Sequence, residues 1–152
     1  MSKTISFVLA TVIAWSIVSD RDVQSMDLGQ YKWKNRLLFI FAPDDGHSLL
    51  RNLESDIAAQ PGEVSERDLI VFKIIKNGPS LMAETRLDPQ RAANIRAKFK
   101  ASDQRFTCIL VGKDGGVKLR TNDQIRLQDI FERIDAMPMR QQEMRQNATG
   151  KN

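Results

Sequence analysis

The sequence predicts an α/β protein, a three-layer sandwich with elements in the order β-α-β-α-β-β-α that closes on a C-terminal β-hairpin and a helix. Three observations carry that prediction. Two runs, Leu37-Leu38-Phe39-Ile40-Phe41 and Leu69-Ile70-Val71-Phe72, are apolar at every position. Continuous apolar runs belong to strands covered by helices on both faces, whereas strands with one wet face alternate. The segments that follow these runs carry apolar residues at helical spacing. Finally, Gly112-Lys113-Asp114-Gly115-Gly116 separates two β-rich runs, and glycine supplies the positive φ that tight hairpin turns need.

The first strand occupies residues 36–43. Leu49, Leu50, Leu53 and Ile57 then mark a helix that Gln60-Pro61-Gly62 stops. A second strand, Leu69–Ile75, ends at Asn77-Gly78-Pro79. After a looser segment, Asp88-Pro89 opens the next helix, with aspartate as cap and proline in the first turn. Ala92, Ile95 and Phe99 are expected on its inner face, and Arg91, Arg96, Lys98 and Lys100 outside. Residues 106–111 form the third strand, and Val117-Lys118-Leu119-Arg120 returns beside it. Leu127, Ile130, Phe131, Ile134 and Met137 mark the last helix, which ends at Pro138, and residues 146–152 are expected to be a disordered tail. Strands joined by a helix are expected to run parallel.

With 152 residues the chain is long enough for one domain with its own core. Charged residues make up 28% and the net charge is +4. The basic residues are interspersed with acidic ones and no five like charges are consecutive, which argues against nucleic-acid binding. Lys3 precedes an apolar stretch over residues 5–18 that is too short to span a bilayer and suits a signal peptide, residues 1–25. Ser25 is the expected cleavage point, Ser16 and Ser19 compete with it, and an uncleaved anchor is the alternative. Cleavage leaves a domain over residues 27–145 with no membrane attachment. The one cysteine, Cys108, forbids an internal disulfide and any two-cysteine exchange centre within the chain.

Four phrases resemble a known family: Tyr31-Lys32-Trp33-Lys34-Asn35-Arg36-Leu37-Leu38, Glu66-Arg67-Asp68-Leu69, Gly112-Lys113-Asp114-Gly115-Gly116-Val117-Lys118-Leu119-Arg120 and Ile134-Asp135-Ala136-Met137-Pro138-Met139-Arg140. The family is domain of unknown function 4174, found in exported bacterial proteins. It is related to a peroxiredoxin-like domain of animal extracellular-matrix proteins that carry sushi repeats. The resemblance implies a thioredoxin-like fold and a periplasmic or extracellular location in a bacterium. It transfers no catalytic residues.

In thioredoxin-like enzymes the loop after the first core strand carries a reactive cysteine at a helix N-terminus, where the dipole lowers its pKa. Here that loop reads Asp44-Asp45-Gly46-His47 and contains no sulfur. Asp44, Asp45 and the only histidine, His47, are therefore candidate ligand-binding residues; the simpler reading is that one aspartate caps the following helix. A metal held by His47 with the two carboxylates, or thiol chemistry at Cys108, are the alternatives. Met137, Met139 and Met144 could return to the core, face a partner or ligate a soft metal. Tyr31 and Trp33 are expected to pack on the sheet, with a binding platform as the alternative. No cofactor is called for, and the expected partner is a protein or a small ligand. Export with cleavage after Ser25 predicts a mature chain beginning at Met26; the intact mass of protein recovered from its host checks this, and a chain still beginning at Met1 contradicts it.

Overall fold

The computed structural model describes residues 27–150; the expected signal segment and residues 151–152 lie outside the described residues. A short 3₁₀ turn, Leu28–Tyr31, leads into strand β1, Arg36–Ala42. Helices α1, Ser48–Ala59, and α2, Pro61–Glu66, connect it to β2, Leu69–Ile75. Two short strands follow, β3, Leu81–Met82, and β4, Thr85–Arg86, then helix α3, Pro89–Lys98. Strands β5, Thr107–Val111, and β6, Val117–Thr121, precede helices α4, Leu127–Asp135, and α5, Pro138–Thr149.

The sheet runs in the order β4-β3-β2-β1-β5-β6. Its central strand β1 is buried at all seven positions, as its continuous apolar run requires. Alternation along β1 divides the core into two layers. Leu38, Ile40 and Ala42 meet α1 and α4 through Leu50, Leu53, Leu127, Ile130 and Phe131. On the other face Leu37, Phe39 and Phe41 meet Ala92 and Ile95 of α3. Phe39 also lies 4.7 Å from Phe72 and 4.6 Å from Phe99. The result is the three-layer sandwich.

Several local expectations are met. Asp88 Oδ1 accepts from the Gln90 and Arg91 amides, capping α3 before Pro89. The β5–β6 hairpin turns through Gly115 at φ +82°, with the Gly116 amide donating to Asp114 Oδ1.

Others are corrected. Strand β1 pairs parallel with β2, but β5, which follows α3, runs antiparallel to β1. Residues 99–106 return the chain to the end of the sheet where β1 finishes, so Thr107 enters opposite Phe41. Arg96, expected outside, is buried and holds this return: its guanidinium donates to the carbonyls of Ala42, Ile74 and Ser102. The looser segment is the β3–β4 hairpin, whose turn uses Ala83 at φ +50° instead of a glycine. Pro61 and Pro138 start new helices as well as ending old ones, since proline suits a first helical turn. The expected tail is helical through Thr149.

Helix α5 has little apolar surface to bury; its one buried side chain is Arg140, only 1% exposed. Ion pairs hold it. Arg140 reaches Glu66 at 2.6 Å and Asp135 at 3.2 Å, while Glu143 pairs with Arg36 at 3.2 Å and Lys113 at 2.7 Å. Arg67 grips Asp135 with two nitrogens, at 3.0 and 2.6 Å, pairs with Glu63, and lies 4.2 Å from the Phe131 ring. Lys113 also bonds Asp68 at 2.7 Å.

Removing one member of a buried pair strands its partners. Arg140→Ala is expected to lower unfolding free energy by about 3 kcal/mol in urea denaturation. A loss below about 1 kcal/mol, the scale of an exposed pair, would contradict this role. Burial alone pushes the Asp135 carboxyl up, but hydrogen bonds from Arg67 and Arg140 outweigh that and hold it below its ordinary value. A depressed carboxyl contributes stability above its unfolded pKa and loses it as pH falls through the folded one. Stability should therefore drop as pH falls below about 4, and Asp135→Asn should flatten that part of the profile. An unchanged slope in Asp135→Asn would refute the assignment.

Candidate functional site

The loop after β1, residues 43–47, stands at the end of the sheet where the two parallel strands finish. The Ala42 and Pro43 carbonyls accept from the Lys76 and Asn77 amides, tying the loop to the end of β2. Asp44 Oδ1 accepts from the Gly46 amide at 2.9 Å and closes the turn on itself. Asp45 leans toward β2, where its carboxylate lies 3.8 Å from Lys73 Nζ; Lys73 also pairs with Glu54 of α1 at 2.7 Å. His47 leans the other way, its ring 6.0 Å from Phe106 and nearly parallel to it.

Neither aspartate caps α1. His47 occupies the cap position with extended backbone and no side-chain bond to the helix. Its Nδ1 is enclosed without a hydrogen-bond partner, so the imidazole is a half-buried packing group rather than a solvated first-turn residue. Asp45 and His47 thus point to opposite sides of the loop. Among the described residues no three histidine, cysteine, aspartate or glutamate side chains group as metal ligands.

Cys108 lies in β5 opposite Ile40, with none of its surface exposed. Burial pushes its thiol up to about 12, leaving almost no thiolate at neutral pH, and the thiolate is the reactive form. It behaves as a small apolar core residue.

The opposite end of the sheet presents a different surface. Tyr31 packs edge-on against Phe72 and donates to Met82 Sδ at 3.2 Å. Trp33 does not pack on the sheet; it is 62% exposed. Its backbone is left-handed at φ +66°, and its amide donates to the Lys113 carbonyl at 2.6 Å. A non-glycine residue in that region costs roughly 1–2 kcal/mol. Of the methionines, Met137 packs against the core and Met139 faces solvent. No helix among the described residues is long and apolar enough to cross a membrane.

The family model described as "Domain of unknown function (DUF4174)" matches residues 27–143. The chain belongs to that family. Within this DUF4174 domain, the phrases that carry the resemblance converge in space. Arg36, Glu66, Arg67, Asp68, Lys113, Asp135 and Arg140 come from all four phrases and form most of the ion network beneath α5. Over 133 residues the chain is 26% identical to coiled-coil domain-containing protein 80 of Danio rerio, covering 77% of this chain. It spans only 15% of that relative's length.

Solved structures similar to this DUF4174 domain include thioredoxin peroxidase I of Plasmodium yoelii, with a TM-score of 0.56 and 14% identity over 76% of this chain and 79% of that one. The reduced 2-Cys peroxiredoxin of Plasmodium vivax matches with a TM-score of 0.55 and 15% identity over 76% and 72% of the two chains. At such identities the likeness is one of fold: thioredoxin-like, with peroxiredoxin neighbours.

Two buried cations escaped the sequence reading although their positions carry a signal. Arg96 completes the 92, 95, 96, 99 spacing of an inner helix face. Arg36 shares its strand face with Leu38, Ile40 and Ala42.

Proposed function

We propose that this DUF4174 domain is an exported thioredoxin-fold module without thiol redox chemistry, which binds a protein partner or a small ligand. The observation that carries the reading is the loop after β1. Where thioredoxin-like enzymes place a reactive cysteine, this chain places Asp44, Asp45, Gly46 and His47, and its one thiol is enclosed in the core. A scaffold without its nucleophile retains what the fold offers besides chemistry: a rigid sheet with loops at both ends. Asp44 and Asp45 are exposed on the loop at one end, with His47 half-buried beside them, and Trp33 is an exposed aromatic at the other; both ends suit recognition. The apolar segment over residues 5–18 supports export.

The test separates this reading from its two alternatives. The full-length protein should neither consume peroxide nor reduce insulin disulfides above the blank, with Cys108→Ser indistinguishable from it. A thiol reagent should modify Cys108 only after denaturant is added. Peroxide or disulfide turnover that Cys108→Ser abolishes would overturn the reading in favour of an oxidoreductase. A stoichiometric divalent metal lost in His47→Ala would overturn it in favour of metal handling.

A further inference from the structure

We propose that the groove between α3 and the end of β2 binds a small amphiphilic organic anion, a carboxylate carried on an aliphatic body. This gives the binding module a ligand class and rests on that reading.

The groove encloses about 530 Å³, within the range of roughly 300–1,000 Å³ that small-molecule sites occupy. Its floor is apolar and drawn from the core: Ile74, Leu87 and Ala92 are all buried. The helix wall carries Ala93 and Ala97, whose short side chains leave the space beside them open. An aliphatic body gains from covering such a floor, because apolar area leaves water. No aromatic side chain lines the groove, which favours an aliphatic body over a nucleobase that would need a stacking partner.

The charge around this floor is one-sided. Lys76, Arg86, Arg96 and Lys100 face a single lining carboxylate, Asp103. Asp103 is shared, 3.0 Å from Lys76 and 3.4 Å from Arg96. Asp45, on the loop after β1, stands at the groove's edge beside Gly78, with its carboxylate also 3.8 Å from Lys73 Nζ. Arg86 and Lys100 stand exposed on the rim, and no ion pair among the described residues engages either side chain.

The two kinds of cation have different parts. Arg96 spends its donors on the carbonyls of Ala42, Ile74 and Ser102, so it supplies a fixed positive charge beneath the groove and no free donor for a ligand's first contact. Arg86 and Lys100 retain free donors at the mouth, where a carboxylate would meet them with its apolar body on the floor. A cleft with low-dielectric walls concentrates the field of such like charges and attracts an ion of opposite sign.

The test titrates ¹⁵N-labelled full-length protein with decanoate, using 1-decanol and acetate as controls that keep only the body or only the charge. Decanoate should shift the amides of Ser80, Ala93 and Ala97 saturably, with both controls at least about tenfold weaker. Arg86→Glu combined with Lys100→Glu, at exposed and unpaired positions, should weaken decanoate about tenfold while leaving 1-decanol unchanged. Equal affinity for decanoate and 1-decanol would overturn the proposal, because the groove would then be only apolar. So would shifts absent from these amides or centred on Trp33 and Val117. A groove that binds nothing overturns this proposal alone, whereas Cys108-dependent turnover in the redox assays overturns the reading beneath it.

Discussion

Arg36 sets the terms for much of this structure. It is the first residue of a strand buried on both faces, and its side chain is 1% exposed. A guanidinium cannot lose its proton at physiological pH, so its charge must be answered where it lies. The answer is assembled from distant segments: the Arg67 carbonyl after α2 and both Glu143 oxygens from α5. Glu143 in turn binds Lys113 from the hairpin, which reaches Asp68 ahead of β2. Once α5 is drawn in, Arg140 is buried as well and needs Glu66 and Asp135. A helix with almost no apolar face is thereby fixed to the domain mainly through charged side chains.

That arrangement assigns different work to the two ends of the sheet. The end beneath α5 is dense with interlocked ion pairs, and the family phrases meet there. Such a cluster is costly to desolvate, and removing a buried member strands its partners, so the residues of those phrases serve the fold. The other end, where thioredoxin-like enzymes keep their chemistry, is held by Arg96, and the loop after β1 has few further ties. Its loop is tied by two backbone bonds and its acidic and imidazole side chains diverge. The groove beside it is apolar below and cationic above, a combination that serves binding without requiring a nucleophile.

The central strands, the α3 cap and the glycine-rich hairpin were legible because each depends on neighbouring residues: a continuous apolar run, an aspartate before a proline, glycine at positive φ. The β3–β4 hairpin was not. Its strands are two residues long and its turn uses Ala83, so neither period nor glycine marks it. The sequence stops its last helix at Pro138 and expects a disordered tail from residue 146, because the stability of α5 comes from partners up to 107 residues away. At the candidate site the sequence located the loop after β1 and the absence of sulfur from it. That Asp45 and His47 turn apart depends on Lys73 and Phe106, which lie on other elements.

By itself the sequence determined the α/β class, the strands that lie at the middle of the sheet and the exclusion of two-cysteine chemistry, because these follow from local pattern and residue count. Only the tertiary structure decided the direction of β5, the burial of Arg36, Arg96 and Arg140, the exposure of Trp33 and the charge balance of the groove. Each of those is a property of groups far apart in the chain. A cation is buried or exposed according to whether carbonyls and carboxylates from other segments arrive to meet it; neighbouring residues mark the face it shares but not those partners.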